Sequence, residues 1–185
     1  MEIANTFVYL HVGFPRPIVY SWMSSSNFLL DEHCVPKLLD FSHAECIPEG
    51  ETQIKDAPVR GTLGYVAPEH ISMAVLDEKC DVYGFGSLLL ELLTGHRKND
   101  FFHNCAAKLI EDSSVTEDDN WISNIVKKII GFVDPIIVGD GLFPETLQQM
   151  EVFAKLAVKC QSDSGEDRPT MIDVAKQLRQ LHLSA

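Results

Sequence analysis

The sequence predicts a mainly α-helical domain with one small β-hairpin near its front. Three observations lead there. Apolar residues recur at helical spacing over 77–94, 121–130, 145–160 and from 170 to about 181. Short strand-like runs flank a turn only at 28–39. Composition is that of a folded body, with 45% hydrophobic and 23% charged residues. The 185 residues suit one domain, 1–185. A chain of that size buries roughly 70% of its unfolded surface and needs no covalent staples.

Each element has local cues. Ile3, Phe7 and Leu10 form a short helical stripe closed by Gly13, Pro15 and Pro17. A polar loop follows at 21–27. Phe28-Leu29-Leu30 and Val35 to Leu39 read as strands, joined by the turn Asp31-Glu32-His33-Cys34. From Asp40 to Pro68 the chain is rich in Gly, Pro and polar residues and reads as a long structureless loop, of the kind that carries function. Asp77 to Thr94 reads as one strongly apolar helix, stopped by Gly95 and suited to the centre of the domain. Gly84 and Gly86 oppose it by roughly 1 kcal/mol each, so burial must override propensity. An acidic linker, Glu111–Asp119, precedes the amphipathic helix Trp121–Ile130. Thr170-Met171-Ile172-Asp173 has capping-box character at the start of the last helix.

Charge and cysteines bound the function. With 15 basic against 27 acidic side chains the net charge is −12. That argues against nucleic acid and anionic lipid, which require clustered Lys and Arg. The cysteines stand at 34, 46, 80, 105 and 160, an odd number without a C-x-x-C pair. His43 and Cys46 have ligand-like spacing but no second pair. Neither a disulfide framework nor structural zinc is expected, and a reducing cytoplasm is the simpler setting. No signal peptide, myristoylation site or membrane span is read, so direct membrane insertion is not expected.

Four motifs then fall in order. Asn27 and Asp40-Phe41-Ser42 bracket the hairpin. Gly61-Thr62-Leu63-Gly64-Tyr65-Val66-Ala67-Pro68-Glu69 ends in Ala-Pro-Glu. Asp81-Val82-Tyr83-Gly84-Phe85-Gly86 lies in the apolar helix. Asp167-Arg168-Pro169-Thr170 precedes the last helix. In this order they resemble the C-terminal lobe of a protein kinase, with the activation segment at 40–69. The stretches 12–20, 27–40 and 61–69 are similar to plant receptor-like kinases, and especially to the ZRK group related to wall-associated kinases. Several members of that group serve immune receptors as adaptors or decoys. The resemblance covers nearly the whole chain.

The departures decide what the resemblance implies. Met1 aligns within the helix before the catalytic loop, so no β-lobe with a Gly-rich loop and lysine can be fitted. Aligned back from Asn27, the His-Arg-Asp positions hold Tyr20, Ser21 and Trp22. An indole offers an N–H and no acceptor lone pair, so Trp22 cannot take a proton from a substrate hydroxyl. Such a base commonly contributes ~10²–10⁴-fold. Ser24 stands where the family has a phosphate-steadying lysine, so no catalytic residue is expected. Ser42 replaces the glycine of Asp-Phe-Gly, which predicts a stiffer segment. Asn27 and Asp40 remain as vestigial Mg²⁺ ligands, each with the alternative of a plain cap, and Leu29 falls on the nucleotide floor.

The framework positions survive. Glu69 and Arg168 are expected to form the buried pair that ties Ala-Pro-Glu to the last helices, and Asp81 to accept backbone N–H groups of the catalytic loop. Thr52 and Thr62, with Ser24, Ser25 and Ser26, are hydroxyls open to phosphorylation by another kinase. The resemblance thus implies a catalytically inactive adaptor or decoy in plant immune or receptor signalling. Its partners would be other proteins, immune receptors or receptor-like kinases, docked on 40–69 or around Trp121. No cofactor is expected, and Mg-ATP only if residual family function survives. The expected location is cytoplasmic, with recruitment to the plasma membrane through a partner. Two alternatives stay open: a fragment of an ATP-dependent Ser/Thr kinase, and a truncated non-functional product.

Overall fold

The apolar helix of the Asp-Val-Tyr motif organises the chain. The computed structural model describes residues 1–96, 121–138 and 143–184. The linker Glu111–Asp119, Cys105 and the side chain of Trp121 lie outside the described residues. Helix α1 spans Glu2–Val12, α2 Pro68–Met73, α3 Glu78–Thr94, α4 Trp121–Ile130, α5 Pro135–Val138, α6 Pro144–Cys160 and α7 Met171–Leu183. Strands β1 (Ile18–Val19), β2 (Phe28–Leu30), β3 (Pro36–Leu38) and β4 (Glu45–Cys46) form two antiparallel pairs.

Helix α3 is buried along most of its length and packs on α6. α6 in turn contacts α4 and α7, and α7 lies along α1. One core joins Phe7, Phe85, Leu89, Leu156 and Val174 across these helices. Asp77 is the N-cap of α3 rather than its first residue. Its Oδ1 accepts the N–H groups of Lys79 at 2.9 Å and Cys80 at 3.1 Å. Gly95 ends the helix at φ +70°, the left-handed turn that glycine adopts without a Cβ penalty. Thr170 and Asp173 make the reciprocal capping box of α7.

The hairpin pairs Phe28 with Leu38, Leu29 with Lys37 and Leu30 with Pro36. The Asp31 carboxylate organises its turn by accepting the N–H groups of His33 and Val35, both at 2.9 Å.

The stretch from Asp40 to Pro68 differs from the expected structureless loop. β4 pairs with β1, placing Ile18 opposite Cys46 and Val19 opposite Glu45. Ile54 and Leu76 exchange backbone hydrogen bonds of 2.8 and 2.9 Å, and Ala57 N–H reaches the carbonyl of Ala74. A second small core, with Val19, Ile47, Ala57, Ala67 and Leu76, anchors the segment from beneath. Two-residue strands are too short to show a period of two. The two shortest helices, α2 and α5, likewise have too few turns to show a stripe.

The cost of Gly84 and Gly86 in α3 has a structural return. A Cβ on Gly84 would lie 2.7 Å from Met23 Cβ, and one on Gly86 would lie 2.7 Å from Cys160 Cβ and 2.9 Å from Ala157 O. The glycines therefore let the catalytic-loop region and α6 approach α3 closely. Gly86→Ala should destabilise the fold by ~1–3 kcal/mol although alanine is the better helix former. Urea unfolding followed by circular dichroism measures it, and a stabilised variant would show that α6 can withdraw at no cost.

Candidate functional site

The site forms where the loop after β1 meets the start of α3 and the segment after the hairpin. Its anchor is Asp81, whose side chain is buried. Oδ2 accepts the N–H of Tyr20 at 2.8 Å and His11 Nε2–H at 3.0 Å, while Oδ1 accepts the N–H of Ser21 at 2.9 Å. Three donors on one carboxylate compensate its burial and hold residues 20 and 21 in place. Ser21 is thereby kept at φ +59°, a left-handed conformation uncommon for serine.

Trp22 follows directly. Its indole stacks on the His43 imidazole with ring centroids 4.0 Å apart and planes 29° from parallel. Ser21 Oγ–H donates to the carbonyl of His43 at 2.9 Å, and Arg60 lies 3.2 Å from His43 Nδ1. Residues 20–22 and the segment after the hairpin are thus closed against each other by ring stacking and hydrogen bonds. His43 and Cys46 are engaged separately. His43 faces Trp22, whereas the Cys46 thiol points to the carbonyls of Arg16 and Ile47.

Tyr20 is fully buried, edge-on to Phe7 and Phe41. Its hydroxyl donates to Leu39 O at 2.7 Å and accepts from Asn27 Nδ2 at 3.0 Å. Burial raises the Tyr20 pKa above the usual phenol range, so the hydroxyl keeps its proton. Asn27 Nδ2 also donates to Trp22 O at 2.8 Å, which fixes the orientation of the amide. Asp40 sits at φ +55°, and its Oδ1 accepts both the hydroxyl of Ser42 at 2.5 Å and its N–H at 3.1 Å. Those bonds lower the Asp40 pKa. The left-handed position therefore falls on Asp40 and not on Ser42, so the backbone does not require glycine at 42.

Asn27 and Asp40 are the two residues that would hold Mg²⁺ if the family's metal is bound. Magnesium wants octahedral oxygen ligation from carboxylates completed by phosphates and water. Here Asp40 Oδ1 closes a turn onto Ser42 and Asn27 Nδ2 donates to Tyr20 and Trp22, bonds that fix both side chains through atoms other than Asn27 Oδ1 and Asp40 Oδ2. Ser24, in the lysine position, is buried and bonds Ser26, and Ser25 donates to Glu91 at 2.7 Å. Leu29 is exposed on β2, Thr52 is exposed, and half-buried Thr62 offers its carbonyl to Tyr65 N–H. Among the described residues, one group of three metal-type side chains converges: Glu69, Asp77 and Cys80. All three are committed. Glu69 pairs with Arg168, Asp77 caps α3, and burial drives the Cys80 thiol pKa far up, keeping it protonated.

Glu69 and Arg168 join parts of the chain 99 residues apart. The guanidinium is buried and forks onto the carboxylate at 2.6 and 2.8 Å. Nε donates to Ser162 O, while the terminal nitrogens also reach Lys79 O and Asp163 O. All five N–H donors thus have acceptors. The Tyr83 ring lies 4.9 Å from the guanidinium carbon, and the Lys79 ammonium donates to Arg168 O.

The sequence comparisons bear on this frame. Residues 1–180 match the protein kinase domain family. The chain belongs to the protein kinase family. It is 33% identical over 97% of its length to the non-functional pseudokinase ZRK2 of Arabidopsis thaliana, and covers 48% of that protein. It is 36% identical to the inactive serine/threonine-protein kinase ZRK12 of the same plant, with 97% of this chain and 43% of the relative aligned. With wall-associated receptor kinase 1 of Arabidopsis thaliana it shares 32% identity over 99% of the chain and 23% of the receptor. The chain therefore spans about half the length of its ZRK relatives. No helix among the described residues is long and apolar enough to cross a membrane.

Burial pushes the Glu69 pKa up, but the bonds from Arg168 and the backbone outweigh it, and the net shift is downward. A carboxyl with a lowered folded-state pKa contributes stability above its unfolded pKa and loses it as pH falls through the folded one. Glu69→Gln should flatten the acid limb of the stability–pH curve. Glu69→Ala should cost ~3–5 kcal/mol near neutrality by leaving Arg168 unpaired. Urea unfolding from pH 7 to 3 measures both, and an unchanged acid limb in Glu69→Gln contradicts the assignment.

Proposed function

We propose that this chain is a catalytically inactive member of the protein kinase family that acts by binding another protein, as an adaptor or decoy in plant receptor or immune signalling. The observation that carries this reading is the stack of Trp22 on His43. It fills the position where the family keeps its general base with a side chain that accepts no proton. Ser24 supplies no cation for a phosphoryl group. Meanwhile Asp81, Glu69 and Arg168, which hold the frame, keep full sets of partners. The names of the pseudokinase relatives support the same reading.

The docking surface is the segment 40–69 with the adjoining α2. Phe41, Val59, Leu63, Ile71 and Met73 present large apolar side chains there to solvent. Clustered exposed apolar residues mark interaction surfaces. The partner is the cytoplasmic part of a receptor or receptor-like kinase, and recruitment through it places the chain at the cytoplasmic face of the plasma membrane. The phosphorylatable Thr52 is exposed beside this surface, where about −1.5 to −2 units of added charge would alter docking. A second reading, an enzyme completed by another chain's phosphate-covering lobe, draws on the exposed Leu29 and Leu30 of the hairpin. Trp22 opposes it whichever chain supplies that lobe.

With labelled ATP, Mg²⁺ and a general protein substrate, wild type should transfer no phosphate above background. Mg-ATP should leave the melting temperature unchanged, because a ligand that binds the native state must raise it. Leu63→Asp should abolish capture of receptor-kinase cytoplasmic domains, and Trp22→Asp should leave capture no stronger. Transfer by wild type that Asp40→Asn removes would return the chain to the enzymes.

A further inference from the structure

A different face carries an independent binding feature. Helices α1 and α7 pack side by side, and a cleft of about 400 Å³ opens between them. Its apolar lining is Met1, Val8, Ile172, Ala175 and Leu183, the last of them 75% exposed. Lys176, Arg179 and His182 line it from α7, and the remaining polar lining residue is the uncharged Asn5. Positions i, i+3 and i+6 fall on one helix face within an arc of about 120° and span about 9 Å of axis.

The charge pattern is unusual for this molecule. The chain carries a net −12, yet no carboxylate lines the cleft. Among the described residues, no acidic group lies within ion-pair distance of Lys176, Arg179 or His182. The nearest acid along the helix, Asp173, is bound in the capping box with Thr170 and lies within electrostatic reach of Lys176, though not at ion-pair distance. Basic groups near a helix C-terminus do favour the helix macrodipole, but that effect asks for no apolar cleft beside them.

We propose that the α1–α7 cleft docks an acidic amphipathic helix of a partner protein. Carboxylates at i, i+3 and i+7 of such a helix match the row of basic groups, while its apolar side chains enter the cleft, the helix-in-groove mode of recognition. Complementary charge selects the partner and speeds encounter, and apolar contact holds it. The binding does not depend on the segment 40–69 and stands or falls apart from that surface.

The probe is a fluorescein-labelled synthetic helical peptide of about eighteen residues with Leu on one face and Glu flanking it. Two controls accompany it: a scrambled peptide of the same composition, and a version with Lys in place of Glu. Anisotropy titration at low salt should show saturable binding of the acidic helix alone, weakening as salt screens the charges. The double variant Lys176→Glu, Arg179→Glu should weaken it by about tenfold or more. Changing the exposed Lys127 of α4 (Lys127→Glu) and Leu63→Asp should leave it intact. These are surface changes, and circular dichroism verifies folding. Equal binding of the scrambled peptide, or indifference to the double variant, would overturn the proposal. So would binding to phosphatidylserine vesicles with none to the peptide.

Discussion

The fork between Arg168 and Glu69 is the constraint on which the arrangement of the helices depends. A guanidinium taken out of water tolerates no unmet donor, and here each of its five finds an oxygen, drawn from three places in the chain. Those oxygens belong to the end of the activation segment, the first turn of α3 and the loop after α6. One side chain thereby sets the relative position of three segments that share no hydrogen-bonded ladder. Tyr83 covers the guanidinium, so the electrostatic tie is also a packing tie.

From that frame the loop of the site inherits its posture. Asp81 stands one turn into α3, and its two oxygens fix Tyr20 and Ser21 through their backbone N–H groups. Backbone anchoring is indifferent to side-chain identity. This explains how Ser21, Trp22 and Ser24 can replace the residues of a phosphotransfer site while the loop keeps its path. The loop's path is thus carried by backbone atoms, and its side chains are left free to differ from those of other kinases.

Legibility in the sequence follows the range of the forces involved. Helices α3, α6 and α7 are readable because a stripe repeats over several turns, and the Thr170–Asp173 box because it is local. The pairing of β1 with β4 is not readable, since two residues carry no period and the contact is made across the catalytic loop. The partnership of Glu69 with Arg168 is accessible only through family resemblance, as 99 residues separate them. His43 shows the limit most plainly. Its spacing to Cys46 suggests a ligand pair, whereas tertiary packing turns the ring onto Trp22. Arg60 beside it has no sequence signal at all. Gly84 and Gly86 read as defects of a helix until the neighbours they admit are seen.

The Trp22–His43 stack also bears on what this lineage can become. An aspartate at position 22 would bring a proton acceptor, yet it would remove the ring that stacks on His43. The cation absent at Ser24 would still have to be regained, in a pocket that is now closed and hydrogen-bonded to Ser26. The stack therefore ties position 22 to a distant stretch of chain: a change at Trp22 is felt at His43 and, through the Ser21 and Arg60 contacts to that residue, by the segment after the hairpin.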